Sequence, residues 1–288
     1  MNTNFAACVI LYNPKKEDIA NIATYSNKVK KLYVFDNTEG TNNAAFFKGI
    51  YNVSYFYDNE NKGLSFRLNE ACNKAIADNF EFLLTMDQDS SFLDENLDQY
   101  LNDVLYYPNK EKVAVYGLEY ENEHKKFIPN KIIPSKKDHL ITSASIINLK
   151  LFTTIGGFDE NLFIDGVDID YCYNAMAKGL ENIEFKNNYF KHALGEPIFR
   201  GTIYTLFLFK KKRTIHSPIR IYYMYRNMLY LENKYKDIFP ELIVNLNRRY
   251  LYMIRKSIKY SINIFEAIKY KYKAKSDFKN NKMGKYIE

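Results

Sequence analysis

The sequence has no tryptophan, only three cysteines, four histidines and seven prolines in 288 residues. Cys8, Cys72 and Cys172 lie far apart and outside any C-x-x-C or Cys/His spacing. That excludes a disulfide framework and a thiolate zinc centre, and a reducing cytoplasm is the expected setting. No apolar run nears the roughly 20 residues that cross a bilayer. One candidate, IYTLFLF at 203–209, stops at KKKR. The opening MNTNFAACVILYNP has no basic region followed by an apolar stretch and a small-residue cleavage site, so no signal peptide is expected. Internal repeats are absent too.

What is present is aromatic and unevenly charged. The chain carries 26 Tyr and 21 Phe. Tyrosine, apolar along its ring and polar at its tip, suits sugar-binding and membrane-interface surfaces, although AT-rich codon usage gives the same bias. Apolar content of 47% and charged content of 26% are those of an ordinary globular protein. The net charge of +7 hides an asymmetry. Residues 1–199 hold 20 Lys and Arg against 28 Asp and Glu; residues 200–288 hold 21 against 6. An acidic body with a basic C-terminal region suggests an anionic partner for that region: a membrane surface, a nucleic acid or a phosphorylated substrate.

The first half alternates between buried-strand and helical patterns. AACVILY (6–12), KLYVFDN (31–37), VSYFYD (53–58), FEFLLTM (80–86) and VAVYGLEY (113–120) read as strands. Residues 16–29, 65–79 and 97–107 between them have helical spacing. This order predicts an α/β fold of βαβ units around a mixed, mostly parallel sheet, whose ligands bind beyond the carboxyl ends of the strands. Polar residues stand at those ends: Tyr12 and Asn13, Asp36 and Asn37, Asp58, Asp87 and Asp89. HLITSASIINLK (139–150) reads as a further strand, a helix is expected from Asp168, and 181–197 reads as a strand and then a loop. The C-terminal region is helical. One helix runs over 217–235 with Ser217 as its cap, and a second runs from Pro240 to about Tyr272. The second has Leu246, Tyr250 and Ile254 on one side and Arg248, Arg255 and Lys259 on the other. Such a basic amphipathic helix is expected either to lie on an anionic membrane, to form a dimer interface, or to pack on its own domain. From about Ser276 the chain reads as a frayed polar tail.

In FLLTMDQDSSF (82–92) two aspartates with one residue between them follow an apolar run. On extended backbone Asp87 and Asp89 point the same way. Two carboxylates so close resist joint ionisation unless a cation lies between them, and Mg²⁺ or Mn²⁺ takes such ligands while keeping sites open for phosphate oxygens. Helix-cap or turn chemistry is the bland alternative. Asp36 and Asn37 are placed to bond a nucleobase or ribose. Gly63, in the turn NKG, and Asn69 in the following helix suit a base or phosphate. A second acidic cluster, DGVDID, holds Asp165, Asp168 and Asp170. Asp168 lies near a helix start, where the dipole keeps it ionised and fit to act as a general base on a hydroxyl. His192 follows a strand and is a candidate to complete a metal shell.

The succession VILYNP, VFDN, NKGLS, LLTMDQDSSF, GGFDENLFIDGVDIDYC, HALGEP and YYMYRN resembles the family 2 glycosyltransferases of GT-A fold. It is most similar to the bacterial rhamnosyltransferases that use dTDP-L-rhamnose, over about residues 5–235. The resemblance implies a Rossmann-like nucleotide-sugar-binding and catalytic domain over residues 1–200 and a basic, mostly helical region over 201–288. Tyr12, Asp36 and Asn69, with Asn13, Asn37 and Gly63, would bind the donor nucleotide. Asp87 and Asp89, with His192, would hold Mg²⁺ or Mn²⁺ on the diphosphate. Asp168 would be the catalytic base of an inverting transfer, and Arg226 a contact to diphosphate or acceptor. The partners implied are a nucleotide sugar, a glycan or polyprenyl-linked acceptor and an anionic membrane on the cytoplasmic side. The chain departs from family members at Val167, where many have Glu. It departs from that branch at Tyr171 and Asn174, where Trp and Arg are frequent. Other donors, UDP-galactofuranose among them, stay open. A metal-dependent phosphohydrolase would place its D-x-D on the first strand, and a nucleic-acid-binding protein would leave the acidic first half unexplained.

Overall fold

The computed structural model describes residues 2–93, 95–122, 126–128, 134–192, 198–200, 211–213 and 215–287. The expected motif HALGEP, after its first residue, and the apolar run 203–209 lie outside them. The chain divides into two compact units, Met1–Glu160 with Val167–Ala193, and Asn161–Gly166 with Leu194–Glu288.

The first unit is the α/β layer expected. Its order is β1 (Asn2–Leu11), α1 (Lys16–Ser26), β2 (Val29–Asp36), β3 (Val53–Tyr57), α2 (Leu64–Ala77), β4 (Phe82–Asp87), β5 (Ser90–Ser91), α3 (Asn96–Leu105), β6 (Val113–Glu121), β7 (Ser135–Lys136), β8 (Ser145–Asn148), α4 (Leu149–Ile155), α5 (Val167–Ala177) and β9 (Glu181–His192). The described strands form one sheet in the order β3-β2-β1-β4-β8-β6-β9-β5, with β7 beside β9. The half from β3 to β4 is parallel, as apolar strands joined by helices require. Then β8 enters antiparallel to both β4 and β6. Phe5, Phe82, Tyr116 and Phe185 fill the core. Phe5 stacks on Phe82 at 5.0 Å, and Tyr116 lies over Phe185 at 6.1 Å.

The strand expected over 139–150 shrinks to four residues. Ala144 has a left-handed φ of +56°, and only Ser145–Asn148 pairs. Asn148 then ends the strand: its side chain caps α4 through the Lys150 N–H and donates to the carbonyls of Lys110 and Val113. Strand β9 runs beside β6 with a register break between Leu118/Phe185 and Glu119/Tyr189. Its first part pairs with β7 and its end with β5, so the bulge divides one strand between two partners.

The second unit contains a short pair, β10 (Ile198–Arg200) with β11 (Lys211–Arg213), and helices α6 (Pro218–Tyr235), α7 (Pro240–Tyr260) and α8 (Ile264–Lys279). Ser217 caps α6 through the Arg220 N–H, as its place before Pro218 predicts. The helix expected from Pro240 to Tyr272 is two helices. Ser261 turns extended at ψ 150°, and Asn263 starts a new helix by accepting the Glu266 N–H. The apolar side of α7 is turned inward, with Leu246, Tyr250 and Ile254 at 4%, 5% and 0% exposure. That helix therefore packs on its own unit and offers no continuous apolar face to a bilayer. The frayed tail is also absent. Gly284 donates its N–H to the Asn161 carbonyl and Tyr286 to the Tyr223 hydroxyl.

Candidate active site

Strand register sets the site. Leu11 pairs with Asp36 across β1 and β2, and Ile10 pairs with Asp87 across β1 and β4. The carboxyl ends of three neighbouring strands therefore present Asp36, Tyr12 and Asp87 at one sheet edge, where open α/β sheets bind ligands.

The residue between the two aspartates works in another direction. Gln88 accepts the Tyr12 N–H through Oε1 at 2.8 Å and donates through Nε2 to the Tyr12 carbonyl and to Asp18. Its own carbonyl accepts from Asn21. Gln88 thus ties the first strand-end loop to the second and holds the flanking carboxylates in place. Alternation along the chain was the available signal, since Gln88 must point away from both aspartates.

After Asp89 the chain enters β5, where Ser90 lies opposite His192 in antiparallel register. Ser90 Oγ lies 2.7 Å from His192 Nδ1, Ser143 donates its hydroxyl to Ser90 Oγ at 2.8 Å, and the Asp87 N–H donates to Ser143 at 3.2 Å. This chain of two hydroxyls joins the backbone of one carboxylate residue to the imidazole 105 positions away. Asp87, Asp89 and His192 each offer a ligand atom within 4.8 Å of the others. His192 Nδ1 is 3.5 Å from Asp89 Oδ1, an oxygen that is shielded and has no hydrogen-bond partner among the described residues. Burial lowers the imidazole pKa, but Asp89 and Asp87 outweigh it, and the net shift is upward.

The three side chains fit a divalent cation. Around six-coordinate Mg²⁺ with bonds of about 2.1 Å, adjacent ligand atoms lie about 3 Å apart and opposite ones about 4.2 Å. Ligand atoms within 4.8 Å of one another are near that spacing. The two carboxylates beside His192 mark a place that favours positive charge, and a bound cation would displace the proton they favour on the imidazole.

Around Asp36 the polar residues are built into the scaffold. Its carboxylate is fully buried and accepts from the Thr38 N–H, the Tyr55 hydroxyl and Asn43 Nδ2 at 2.9, 2.6 and 2.8 Å. Asn37 donates to the Gly63 carbonyl and accepts from Arg67 Nε. Gly63, at φ +84°, begins α2. Arg67, not anticipated from the sequence, is 2% exposed and bonds Asp58 and Glu70 as well. Burial would raise the Asp58 carboxyl, but Arg67 and Lys62 overcome it and hold it at about 2. Asp36, Asn37 and Gly63 thus shape the loops around the sheet edge, while Tyr12 is half exposed beside them. Asn13 is held there at φ +48° by the Thr38 hydroxyl. Asn69 clamps the turn after α4. It donates to the Phe158 carbonyl and to Glu160, and accepts the Phe158 N–H.

Asp168 is the second residue of α5 and accepts the Ile169 N–H at 2.9 Å. It lines a small cleft with Thr85, Thr142, Phe158, Tyr171 and Cys172. Tyr171 is buried and stacks on Phe158 at 4.3 Å, and Asn174 donates to the Ile155 carbonyl, so both departures from the family pattern have structural partners. Asp170 is buried in the same helix. Asp165 belongs to the second unit, where Arg220 donates to it at 2.6 Å. The three aspartates of DGVDID therefore stand in three different environments.

Arg226 takes a different place from the one expected. It is fully buried in the second unit, beside the rings of Tyr222 and Tyr223, and donates to the Tyr222 hydroxyl and to the carbonyls of Lys282 and Gly284. Its fork holds the C-terminal segment, and no part of it is exposed to a donor.

No family model matches the chain. A dTDP-rhamnosyl transferase of Shigella flexneri, RfbF, is 24% identical over 81% of this chain and 81% of its own. Among solved structures, S. aureus TarS 1–349 in complex with UDP-GlcNAc superposes with a TM-score of 0.60 at 15% identity, covering 96% of this chain and 80% of TarS 1–349. GalNAc-T7 with UDP, GalNAc and Mn²⁺ gives 0.60 at 11% identity over 96% and 56%. The resemblance carried by the sequence motifs holds: the fold is that of the GT-A glycosyltransferases, and the sequence relative is a glycosyltransferase.

Proposed function

We propose that this GT-A-fold protein is an inverting, metal-dependent glycosyltransferase that moves L-rhamnose from dTDP-L-rhamnose to a hydroxyl of a cell-surface glycan or lipid-linked acceptor. The observation that carries the reading is the convergence of Asp87, Asp89 and His192 at the carboxyl edge of the sheet. The sugar is taken from the Shigella relative. Asp87, Asp89 and His192 would hold a divalent cation, which would supply positive charge for the departing diphosphate. Ser90 and Ser143 orient this group, and Gln88 keeps the Tyr12 loop beside it, where the exposed ring can cover the nucleotide. Asp168, in the first turn of α5, takes the proton of the acceptor hydroxyl as that oxygen attacks the anomeric carbon from the face opposite the nucleotide. One displacement inverts the configuration, and no covalent intermediate is required. A lipid-linked acceptor would be met at the membrane surface, to which the basic second unit would hold the enzyme.

The test is a panel of dTDP-, UDP- and GDP-sugars with Mn²⁺, scored by release of nucleoside diphosphate. Release from dTDP-L-rhamnose alone, lost in Asp168→Asn when an acceptor is supplied, is expected. Release from a UDP-sugar instead would keep the mechanism and overturn the sugar. Failure of every donor to react, or to raise the melting temperature with metal, would overturn the reading.

A further inference from the structure

Helix α8 turns much of its apolar surface outward. The face packed on α6 carries alanines: Ala267 and Ala274 have no exposed surface, and Ala274 joins the cluster of Tyr222 and Tyr223. Tyr270 packs beside them against Tyr222 and Tyr286, but three large apolar side chains point the other way. Phe265, Ile268 and Tyr272, spaced i, i+3, i+7 on one helical face, are 86%, 37% and 71% exposed. Ile262, in the turn between α7 and α8, is 83% exposed, and Ile264 is 44% exposed. A helix serving only its own unit would bury Phe and Ile and expose the alanines, because each large side chain gains several times more from leaving water. The outward stripe continues through exposed Lys269, Lys275 and Lys279, and Arg255 and Lys259 are exposed at the end of α7. From residue 240 to the end there are 12 Lys and Arg against 4 Asp and Glu.

We propose that the α7–α8 turn is a membrane wedge: Ile262 and Phe265 enter the acyl boundary of an anionic bilayer while the flanking lysines and arginines bind its headgroups. The charge of this hairpin selects a lipid surface with anionic headgroups over a second copy of the chain, which would bring two strongly basic surfaces together. The apolar tip supplies what charge alone lacks, and the two contributions together give an attachment that is reversible and salt-sensitive. This deepens the membrane attachment stated above and replaces the apolar side of α7, which is internal, with the turn that follows it. It is independent of the identity of the donor sugar.

The test uses the full chain and sedimentation with vesicles of phosphatidylglycerol and phosphatidylcholine. Wild type should sediment with mixed vesicles, weaken with salt, and stay in solution with phosphatidylcholine alone. The double variant Ile262→Ser, Phe265→Ser should lose about tenfold or more in partitioning, and Lys259→Gln or Lys269→Gln about fivefold each. Tyr106→Ser, at an 80% exposed ring of the first unit, should change nothing. Because all these side chains are exposed, melting temperatures should match wild type and establish that folding is intact. Wild type that binds anionic vesicles while the double variant binds equally well would overturn the wedge and leave membrane attachment standing. Wild type that ignores anionic vesicles would overturn both. A dimer in sedimentation velocity that the double variant dissociates, with no vesicle binding, would assign the surface to a second copy.

Discussion

Replacing Arg226 by methionine removes a guanidinium that has no exposed surface and holds the last residues of the chain. The magnitude follows from its partners. The bond to the Gly284 carbonyl at 2.8 Å is charge-assisted and contributes about 1.5–3 kcal/mol. The longer contacts to the Tyr222 hydroxyl and the Lys282 carbonyl, at 3.1 and 3.4 Å, contribute about 1–2 kcal/mol together. Two aromatic faces add about 1–2 kcal/mol. Against this, an apolar side chain of similar length recovers roughly 1–4 kcal/mol of desolvation. Asp277 keeps Lys273 and the Tyr222 hydroxyl as partners, so no carboxylate is stranded. The net expectation is a loss of about 3 kcal/mol, or roughly 5 °C in melting temperature for a chain of this size. Thermal unfolding measures it, and limited trypsin digestion reports on the segment, because Lys282 and Lys285 should become cleavable in the native protein. Arg226→Lys keeps the charge without the fork and should recover only part of the loss. A variant with wild-type melting temperature and tail protection, but without donor turnover, would refute the reasoning and return Arg226 to the diphosphate.

Ser90→Ala removes the hydroxyl that fixes His192 and should weaken Mn²⁺ binding, read by electron paramagnetic resonance, by about tenfold; Ser143→Ala should do so less, and both should melt a few degrees lower because each strands a buried partner. Asp58, held at about 2 in the folded protein against an ordinary carboxyl near 3.8, binds protons less readily when folded. Its contribution is complete above the unfolded value and is lost as pH falls through the folded one, so acid unfolding monitored from pH 5 to pH 2 should be shallower in Asp58→Asn. All three thiols are buried, and burial pushes that of Cys172 up to about 12. Iodoacetamide at neutral pH should therefore label none in the native state and three after denaturation.

The parallel half of the fold is legible because its signals are local. AACVILY, KLYVFDN and FLLTMD are apolar runs closed by polar residues, and the helices between them carry their own spacing and caps. The placement of Asp87 and Asp89 at a strand end follows from that order alone. What escapes the sequence is set by long-range partners. Ser90 meets His192 only because β9 is bulged and turns from β7 to β5. Gln88 and Arg67 read as ordinary polar residues until the loops they tie together are adjacent. Arg226 lies within an aromatic motif whose local pattern says nothing of the C-terminal segment that it holds. The break between α7 and α8 is hidden by apolar spacing that runs on through Ile258, Phe265 and Ile268, although Asn263 followed by Glu266 is a recognisable cap.

The most direct measurement is dTDP release from dTDP-L-rhamnose, followed in EDTA, after return of Mn²⁺, and in Asp89→Ala. The account predicts no release in EDTA, recovery with Mn²⁺, and a rate at least about a hundredfold lower in Asp89→Ala at every Mn²⁺ concentration. Equal release by wild type and Asp89→Ala, undiminished by EDTA, would contradict the claim that Asp87, Asp89 and His192 exist to hold a cation on the donor.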